Sequence, residues 1–167
     1  MMNPSSDKPV IGWREWVTLS DFGAQPIKAK VDTGARTSSL HAYDIEVFHR
    51  RGKEMARFKV HPLQRDGRKV MVCEAQLLEH RWVRSSSGVR EHRPVITTMA
   101  TLMGQPWPIE LTLTNRDVMG FRMLLGREAT RSRFLVDPGR SFLTTGASPK
   151  KPGKKTSRRA HDRQEQL

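Results

Sequence analysis

The sequence predicts an all-β fold with one short helix near the end of the folded part. Apolar residues recur at every second position in short runs, as where Ala56, Phe58 and Val60 alternate with basic residues, and turns containing Gly or Asp separate the runs. Apolar residues at helical spacing are nearly absent. Regular short strands of this kind are typical of a β-barrel or a β-sandwich.

The predicted elements follow in order from Val10, where the first apolar run begins. A first strand contains Trp13 to Leu19, and a turn then precedes a second strand over 27–32. Further strands are predicted at 45–48, 56–60, 69–78, 81–84, 95–102 and 107–113, followed by a helix over 127–134 and a closing strand, turn and strand over 134–143.

Composition divides the chain into three parts. Its 167 residues leave room for one ordinary domain, which we place at 10–146 between a flexible N-terminus (1–9) and a basic, disordered tail (147–167). The tail holds seven Lys or Arg against two acidic residues, so the rest of the chain carries +8 of the total charge of +13. This surplus favours acidic partners such as nucleic acid, the ribosome or an acidic peptide, although surplus Lys and Arg also promote solubility.

The sequence predicts a soluble, cytoplasmic protein with no membrane partner. No apolar run approaches the roughly 18 residues of a membrane span, and residues 1–8 lack the apolar core of a signal peptide. The single cysteine, Cys73, has no internal partner for a disulfide and is predicted to be a buried apolar residue.

A strand delivers a carboxylate to a glycine turn at Asp32-Thr33-Gly34. Apolar residues at 27, 29 and 31 alternate with polar ones, so the strand has one buried face and ends at Asp32. Gly34 permits close approach of another chain or ligand, and the Thr33 hydroxyl is suited to hold the loop. The motif predicts either a fixed catalytic acid or an ordinary strand-end turn.

A second motif favours the catalytic alternative. An apolar run ends in Gly126-Arg127 and opens the one predicted helix. The two motifs, in this order, resemble retroviral-type aspartic proteases, in which an early Asp-Thr-Gly-Ala and a late apolar-apolar-Gly-Arg form two sides of one active-site support. The resemblance implies that the Asp32 loop is supported by Ala35, Leu125, Gly126 and Arg127.

The chain also resembles a narrower group, the RimK-associated retropepsin-like endopeptidases, which have also been labelled ATP-dependent zinc proteases. The match runs from about residue 10 to residue 146 and leaves out the tail. The segments that carry it are 30–42, 93–95, 109–113, 115–116 and 123–127. The resemblance implies a retropepsin-like acid-protease barrel with one short C-terminal helix.

Peptide hydrolysis by carboxylates needs two of them around one water molecule, and the chain contains a single Asp-Thr-Gly. The resemblance implies a two-fold homodimer in which each subunit supplies Asp32 as catalytic residue, with Thr33 and Gly34 holding the loops. One position departs from the retroviral pattern, because Arg36 replaces an Asp that pairs there with the Arg of the late motif. Arg36 then faces Arg127, a pair of like charges, unless it turns to the substrate.

The expected substrate is an acidic peptide. Relatives of this type are associated with an ATP-grasp ligase that adds glutamates to the C-terminus of a ribosomal protein. The resemblance implies an aspartic endopeptidase that removes or trims such tails, with the ligase and the glutamylated ribosomal protein as partners. Forked hydrogen bonds from arginine suit repeated carboxylates. The predicted substrate-binding residues are Arg36, Arg90, Arg93 and Arg116.

The segment Ser85–Gly88 separates two strand-like arms and predicts a hairpin. In the retroviral-type fold a flap over the cleft occupies a comparable place between the two motifs. The hairpin is therefore predicted to be either a mobile flap or an ordinary surface hairpin.

No metal ion or cofactor is expected. A zinc hydrolase usually contains a tight pair such as His-Glu-x-x-His, and none of the six histidines is spaced in that way. His41 and His61 are the pair considered as ligands that meet across strands. No Gly-rich phosphate loop is present, so any nucleotide requirement belongs to a partner ligase.

Two hypotheses without catalysis stay open. One is a basic β-barrel that binds RNA or the ribosome, with nonspecific RNA contact through the tail, although aromatic residues for base stacking are absent from the basic run. The other is a degenerate protease retained as an adaptor of the ligase. The intact Asp32-Thr33-Gly34 motif argues against such degeneration.

Overall fold

The computed structural model describes residues 7–63, 68–85, 87–115 and 120–145. Strands dominate these residues, which confirms the predicted all-β class, and no helix among them is long and apolar enough to cross a membrane. The predicted basic tail, most of the predicted flexible N-terminus and Arg116 lie outside the described residues. The elements are β1 (Val10–Gly12), β2 (Arg14–Leu19), β3 (Ile27–Asp32), β4 (Ser38–His41), β5 (Tyr43–Arg50), β6 (Lys53–Val60), β7 (Met71–Arg84), β8 (Arg90–Leu102), β9 (Gln105–Thr114), β10 (Met123–Gly126), α1 (Arg127–Thr130) and β11 (Leu135–Asp137).

Six strands close into a barrel. Hydrogen bonds join them in the order β2, β3, β10, β4, β9 and β8, and pairing of β8 with β2 completes the circle. The pairs β3–β10 and β4–β9 are parallel. Beyond β8 the sheet continues through β7 and β6 to β5, while β1 forms a separate parallel pair with β11. Because β3 and β10 are parallel, their C-terminal ends lie side by side although they are far apart in sequence.

The barrel interior is filled by the apolar face that the alternating pattern predicts. In β3, Ile27 and Val31 are buried, whereas the residues between the apolar positions are partly exposed. Trp107 of β9 packs edge-on against Phe134 with ring centroids 5.4 Å apart, and its indole N–H donates to the carbonyl of Ala129 at 3.1 Å. A buried indole thus keeps its polar atom paired, as core packing requires.

Cys73 lies in the core, as predicted. Burial raises the pKa of its thiol to about 12, with a smaller contribution from the charge of Asp21. The thiol therefore stays protonated at neutral pH and behaves as a small apolar side chain rather than as a nucleophile.

The sequence prediction did not include β1, β4 and β10 as strands. Three of the predicted segments differ in extent or type. β7 is one continuous strand rather than two, because an irregularity in its pairing between Leu77 and Glu79 interrupts the alternation without ending the strand. The helix ends at Thr130 and a turn follows, since the buried Phe134 returns the chain to the core. Residues 140–143 are irregular rather than a strand.

The hairpin of β7 and β8 extends beyond its neighbours in the sheet. Pairing of β6 with β7 stops at Gln76, and pairing of β8 with β9 stops at Val95, so the part beyond these residues is a two-stranded ribbon. Its tip is closed by hydrogen bonds from Ser85 N–H to the Val89 carbonyl at 2.8 Å and from Gly88 N–H to the Ser85 carbonyl at 2.9 Å. The predicted hairpin is confirmed, and its mobility stays a prediction.

A buried carboxylate ties the C-terminal segment to the first two strands. Glu15 is completely buried in β2. One oxygen accepts hydrogen bonds from the Gly12 and Leu143 N–H groups at 2.9 and 2.8 Å, and the other accepts from the Thr144 hydroxyl at 3.0 Å. These donors replace the water that the charge loses on burial. Nearby, the Arg140 carbonyl accepts from the Trp13 N–H at 2.9 Å, and the Phe142 N–H donates to the Arg14 carbonyl at 3.0 Å.

Replacing Glu15 by Gln is expected to lower the free energy of unfolding by about 1–3 kcal/mol, because the amide N–H₂ group is placed against backbone and hydroxyl donors. Urea unfolding followed by tryptophan fluorescence measures the change. The matched control is Glu46→Gln, which removes an exposed carboxylate on β5. Equal losses for the two variants would show that the buried carboxylate is not a special contributor to stability.

Candidate active site

Asp32 is the last residue of β3 and lies opposite Gly126 in the parallel pairing with β10. Its Oδ1 accepts hydrogen bonds from the backbone N–H groups of Gly34 at 2.9 Å and Ala35 at 3.2 Å. The side chain is partly exposed, and Thr33 and Gly34 beside it are exposed. The loop thus fixes the carboxylate through its own backbone while leaving it accessible to solvent.

The start of α1 is attached to the loop that follows Asp32. The N–H of Arg127 donates to the Ala35 carbonyl at 2.7 Å, and the N–H of Glu128 donates to the Arg36 carbonyl at 3.0 Å. These bonds also satisfy two of the backbone donors that the first turn of a helix leaves without an intrahelical partner. The two motifs singled out in the sequence are therefore in direct contact.

Gly126 is the point of closest approach between the two motifs. A Cβ atom there would lie 2.6 Å from the carbonyl carbon and oxygen of Thr37 and 3.1 Å from the Ala35 carbonyl. The Gly126 N–H donates to the buried hydroxyl of Ser38 at 3.0 Å, and the neighbouring Leu125 is fully buried. Only glycine fits between these backbone atoms, so the predicted supporting residues do lie together under the Asp32 loop.

Within the chain Arg36 and Arg127 contact different groups, and their arrangement across a dimer stays a prediction. The Arg127 guanidinium donates to the Thr33 carbonyl at 3.4 Å. Arg36 lies 3.7 Å from the carboxylate of Glu128, the residue after Arg127. Sequence reasoning missed Glu128, although its place in the first turn of the helix was the available signal.

A pocket of about 590 Å³ adjoins the Asp32 loop. The loop and the start of β4 form one side, β9 and α1 form others, and β7 contributes a single side chain. Four of its residues are charged, two basic and two acidic. The lining residues are Arg36, Thr37, Ser38, Arg81, Pro108, Ile109, Glu110, Glu128 and Ala129.

Arg81 of β7 is a pocket residue that sequence reasoning did not select. Its Nε donates to Glu79 Oε1 at 2.7 Å, and one terminal nitrogen makes a second, short contact with the same oxygen. Both terminal nitrogens lie 3.2 Å from Glu110 Oε2. No local pattern in the sequence marks this cluster, because Glu110 comes from β9.

The other predicted substrate-binding arginines do not line this pocket. Arg93 is paired with Glu91 at 2.7 Å, and only 13% of its side chain is exposed. Arg90 lies over the ring of Trp82, with its guanidinium carbon 5.4 Å from the centroid. Because alternate residues of a strand point to opposite faces, Arg90 and Arg93 lie on opposite faces of the ribbon.

Among the described residues, no three His, Cys, Asp or Glu side chains are grouped so that they would hold a metal ion. His61, one of the two histidines considered for a metal, stacks on Tyr43 at 4.9 Å, and its Nδ1 lies 3.2 Å from the Lys69 carbonyl. The His61 ring therefore packs on a neighbouring side chain and has a backbone hydrogen-bond partner.

Gly126→Ala is expected to lower the free energy of unfolding by about 1–3 kcal/mol or more, because the added methyl group meets backbone rather than a flexible side chain. Thermal unfolding of the variant measures the change. Gly139→Ala is the matched control, since a Cβ there meets only the Asp137 carboxylate at 3.4 Å. A stable Gly126→Ala protein would contradict the close approach of the two motifs.

Comparison with known proteins finds relatives longer than this chain and a solved structure with a similar fold. Proteins named probable alpha-L-glutamate ligase from Shewanella pealeana and Parasynechococcus marenigrum are 47% identical over 138 residues and 53% identical over 131 residues. These matches cover 83% and 78% of this chain but 30% and 28% of the relatives. The chain therefore spans less than a third of the length of the curated relatives it matches.

A crystal structure of a Legionella pneumophila protein of unknown function has the same fold. The TM-score is 0.68 at 29% sequence identity, and the match covers 81% of this chain and 98% of that one. The family model described as retropepsin-like aspartic endopeptidase RimB matches residues 10–146, which contain the Asp32 loop, Gly126 and the whole barrel. The chain therefore belongs to the RimB-like family of retropepsin-like proteins.

Proposed function

We propose that this protein is an aspartic peptidase that works as a homodimer and hydrolyses glutamate-rich peptide tails. The observation that carries the proposal is the carboxylate of Asp32, which backbone N–H groups orient from one side while solvent reaches it from the other. The close contact between Gly126 and the loop keeps this geometry rigid. Both features are what a positioned catalytic acid requires.

The chemistry needs two carboxylates that share one proton. An ionised carboxylate accepts a proton from water as the water oxygen attacks the scissile carbonyl carbon, and a protonated carboxyl group donates a hydrogen bond to the carbonyl oxygen. The tetrahedral intermediate then breaks its C–N bond as the leaving nitrogen takes up a proton. Each chain contributes one Asp-Thr-Gly, so a two-fold dimer that brings two Asp32 loops together supplies the pair.

The charge of the protein and the names of its relatives support an acidic substrate. The total charge is +13, which favours capture of negatively charged peptides. The relatives are named as ligases of glutamate, and they are long enough to contain a second activity beside the matching region. A peptidase that acts on the product of such a ligase, a peptide extended by glutamates, fits both observations.

Among the arginines predicted to bind this substrate, Arg36 is the one whose position in the structure supports the contact. Arg36 lines the pocket beside the Asp32 loop, and 77% of its side chain is exposed. For Arg90, Arg93 and Arg116, contact with substrate stays a prediction. The proposed reaction takes place in the cytoplasm, requires no cofactor in the protein, and allows a complex with the ligase itself.

Asp32→Asn is expected to lower turnover of a glutamate-rich peptide by roughly 10²–10⁴-fold, because the amide keeps the oxygen that accepts from Gly34 but cannot take a proton from water. Release of new amino groups measures the reaction. Asp137→Asn is the matched control, since Asp137 Oδ1 also accepts from the N–H of a glycine two residues on, at 2.9 Å. Unchanged turnover by Asp32→Asn would overturn the proposed mechanism.

Mixing subunits tests whether two chains share one site. Wild-type protein mixed with a threefold excess of Asp32→Asn is expected to fall to about a quarter of its activity per wild-type chain, since most wild-type subunits then pair with an inactive one. Sedimentation velocity on the same samples measures the dimer. Full activity in the mixture, or activity at concentrations where only monomer sediments, would exclude a shared pair of carboxylates.

A further inference from the structure

We propose that Arg36 and Arg81 form a subsite for side-chain carboxylates of the substrate, and that Glu110 and Glu128 occupy this subsite in the free protein. The inference rests on the proposed function, since it concerns the substrate that the Asp32 site acts on. It adds a residue, Arg81, that the sequence did not reveal. It also assigns a role to two glutamates that would otherwise oppose binding of an acidic peptide.

The position of the pocket supports the subsite. Arg36 belongs to the loop that begins at Asp32, and Arg81 reaches the same pocket from the ribbon of β7 and β8. A volume of about 590 Å³ is sufficient for more than one side chain of a bound peptide. A peptide that passes the catalytic carboxylate would therefore present side chains to both arginines.

Arg81 is oriented by one carboxylate and only loosely held by another. Glu79 accepts from two of its nitrogens, including the 2.7 Å bond from Nε, and fixes the plane of the guanidinium. The carboxylate of Glu110 is 3.2 Å from the two terminal nitrogens and is half exposed. Glu79 thus acts as the anchor, while Glu110 lies at the end of the guanidinium that a substrate carboxylate would use.

Arg36 and Glu128 form a similar exchangeable pair. Their charged groups are 3.7 Å apart, and both side chains are well exposed. Exposed ion pairs contribute little to stability because water and salt screen them. A substrate carboxylate can make a forked hydrogen bond with either arginine, which is stronger than such an exposed ion pair. It therefore competes with the glutamate for the guanidinium.

Exchange of one carboxylate for another explains how the pocket selects acidic side chains. In the free protein Arg81 is paired with both Glu79 and Glu110. Arg36 is paired with Glu128, whose other oxygen lies 3.3 Å from Arg131. A glutamate side chain displaces Glu110 or Glu128 and keeps each arginine paired. A neutral side chain offers no replacement for the lost ion pair, so it is rejected.

The test measures binding rather than hydrolysis. A fluorescein-labelled hexaglutamate and its glutamine analogue are titrated with the Asp32→Asn protein, and fluorescence anisotropy gives each dissociation constant. Introducing Arg81→Met into the Asp32→Asn protein is expected to raise the dissociation constant for hexaglutamate about tenfold. Adding Glu110→Gln is expected to strengthen hexaglutamate binding about two- to fivefold, because the competing carboxylate is removed. Neither substitution is expected to change the dissociation constant for the glutamine analogue.

Arg84→Met is the matched control for loss of a positive charge. Arg84 lies on the same strand as Arg81 but faces the other side of the ribbon, and it is not a pocket residue. It is expected to change the dissociation constant less than twofold. Equal weakening by Arg81→Met and Arg84→Met, or no gain from Glu110→Gln, would overturn the subsite.

The outcomes separate this inference from the proposed function. Because Glu110→Gln is expected to gain affinity, that result does not arise from a misfolded variant. Selective hexaglutamate binding without cleavage by the wild-type protein would support the subsite and contradict the peptidase. Cleavage of acidic peptides that does not depend on Arg81 would support the peptidase and contradict the subsite.

Discussion

The structure depends on one steric constraint, the passage of the Gly126 backbone directly against the backbone of Thr37. With no side chain between them, the end of β10 and the loop after β3 are held at a distance that only glycine permits. Hydrogen bonds from Arg127 and Glu128 to that loop then fix its path. The orientation of Asp32 follows, because its carboxylate accepts from the N–H groups of the same loop.

The barrel and its extension contribute different residues to the surroundings of the Asp32 loop. The closed circle of six strands brings β3 and β10 together and holds the carboxylate in a rigid setting. The ribbon of β7 and β8 extends beyond its neighbours in the sheet and contributes Arg81 to the pocket beside the Asp32 loop. The barrel that holds Asp32 and the ribbon that carries Arg81 are thus parts of one continuous sheet.

Much of this arrangement could be predicted from local sequence. Most strands and the Asp32 turn each leave a pattern within a few residues, because backbone geometry and alternation of burial act locally. The connection between Asp32 and Gly126-Arg127 came from the resemblance to a known family. Glu128, the partner of Arg36, was missed although its place in the first turn of the helix was a signal. Glu15 and Arg81 could not be predicted. Their roles come from contacts between distant strands or from the direction of a side chain, which no periodicity records.

The pairing of β1 with β11 has a consequence for how the domain is used. Val10 lies opposite Leu135, so the strands that open and close the described domain run next to each other. A unit with adjacent ends is readily transplanted into another polypeptide or circularly permuted, because its neighbours need not stretch to meet it. A domain whose first and last strands are adjacent can be joined to other domains by gene fusion with little change to its own fold.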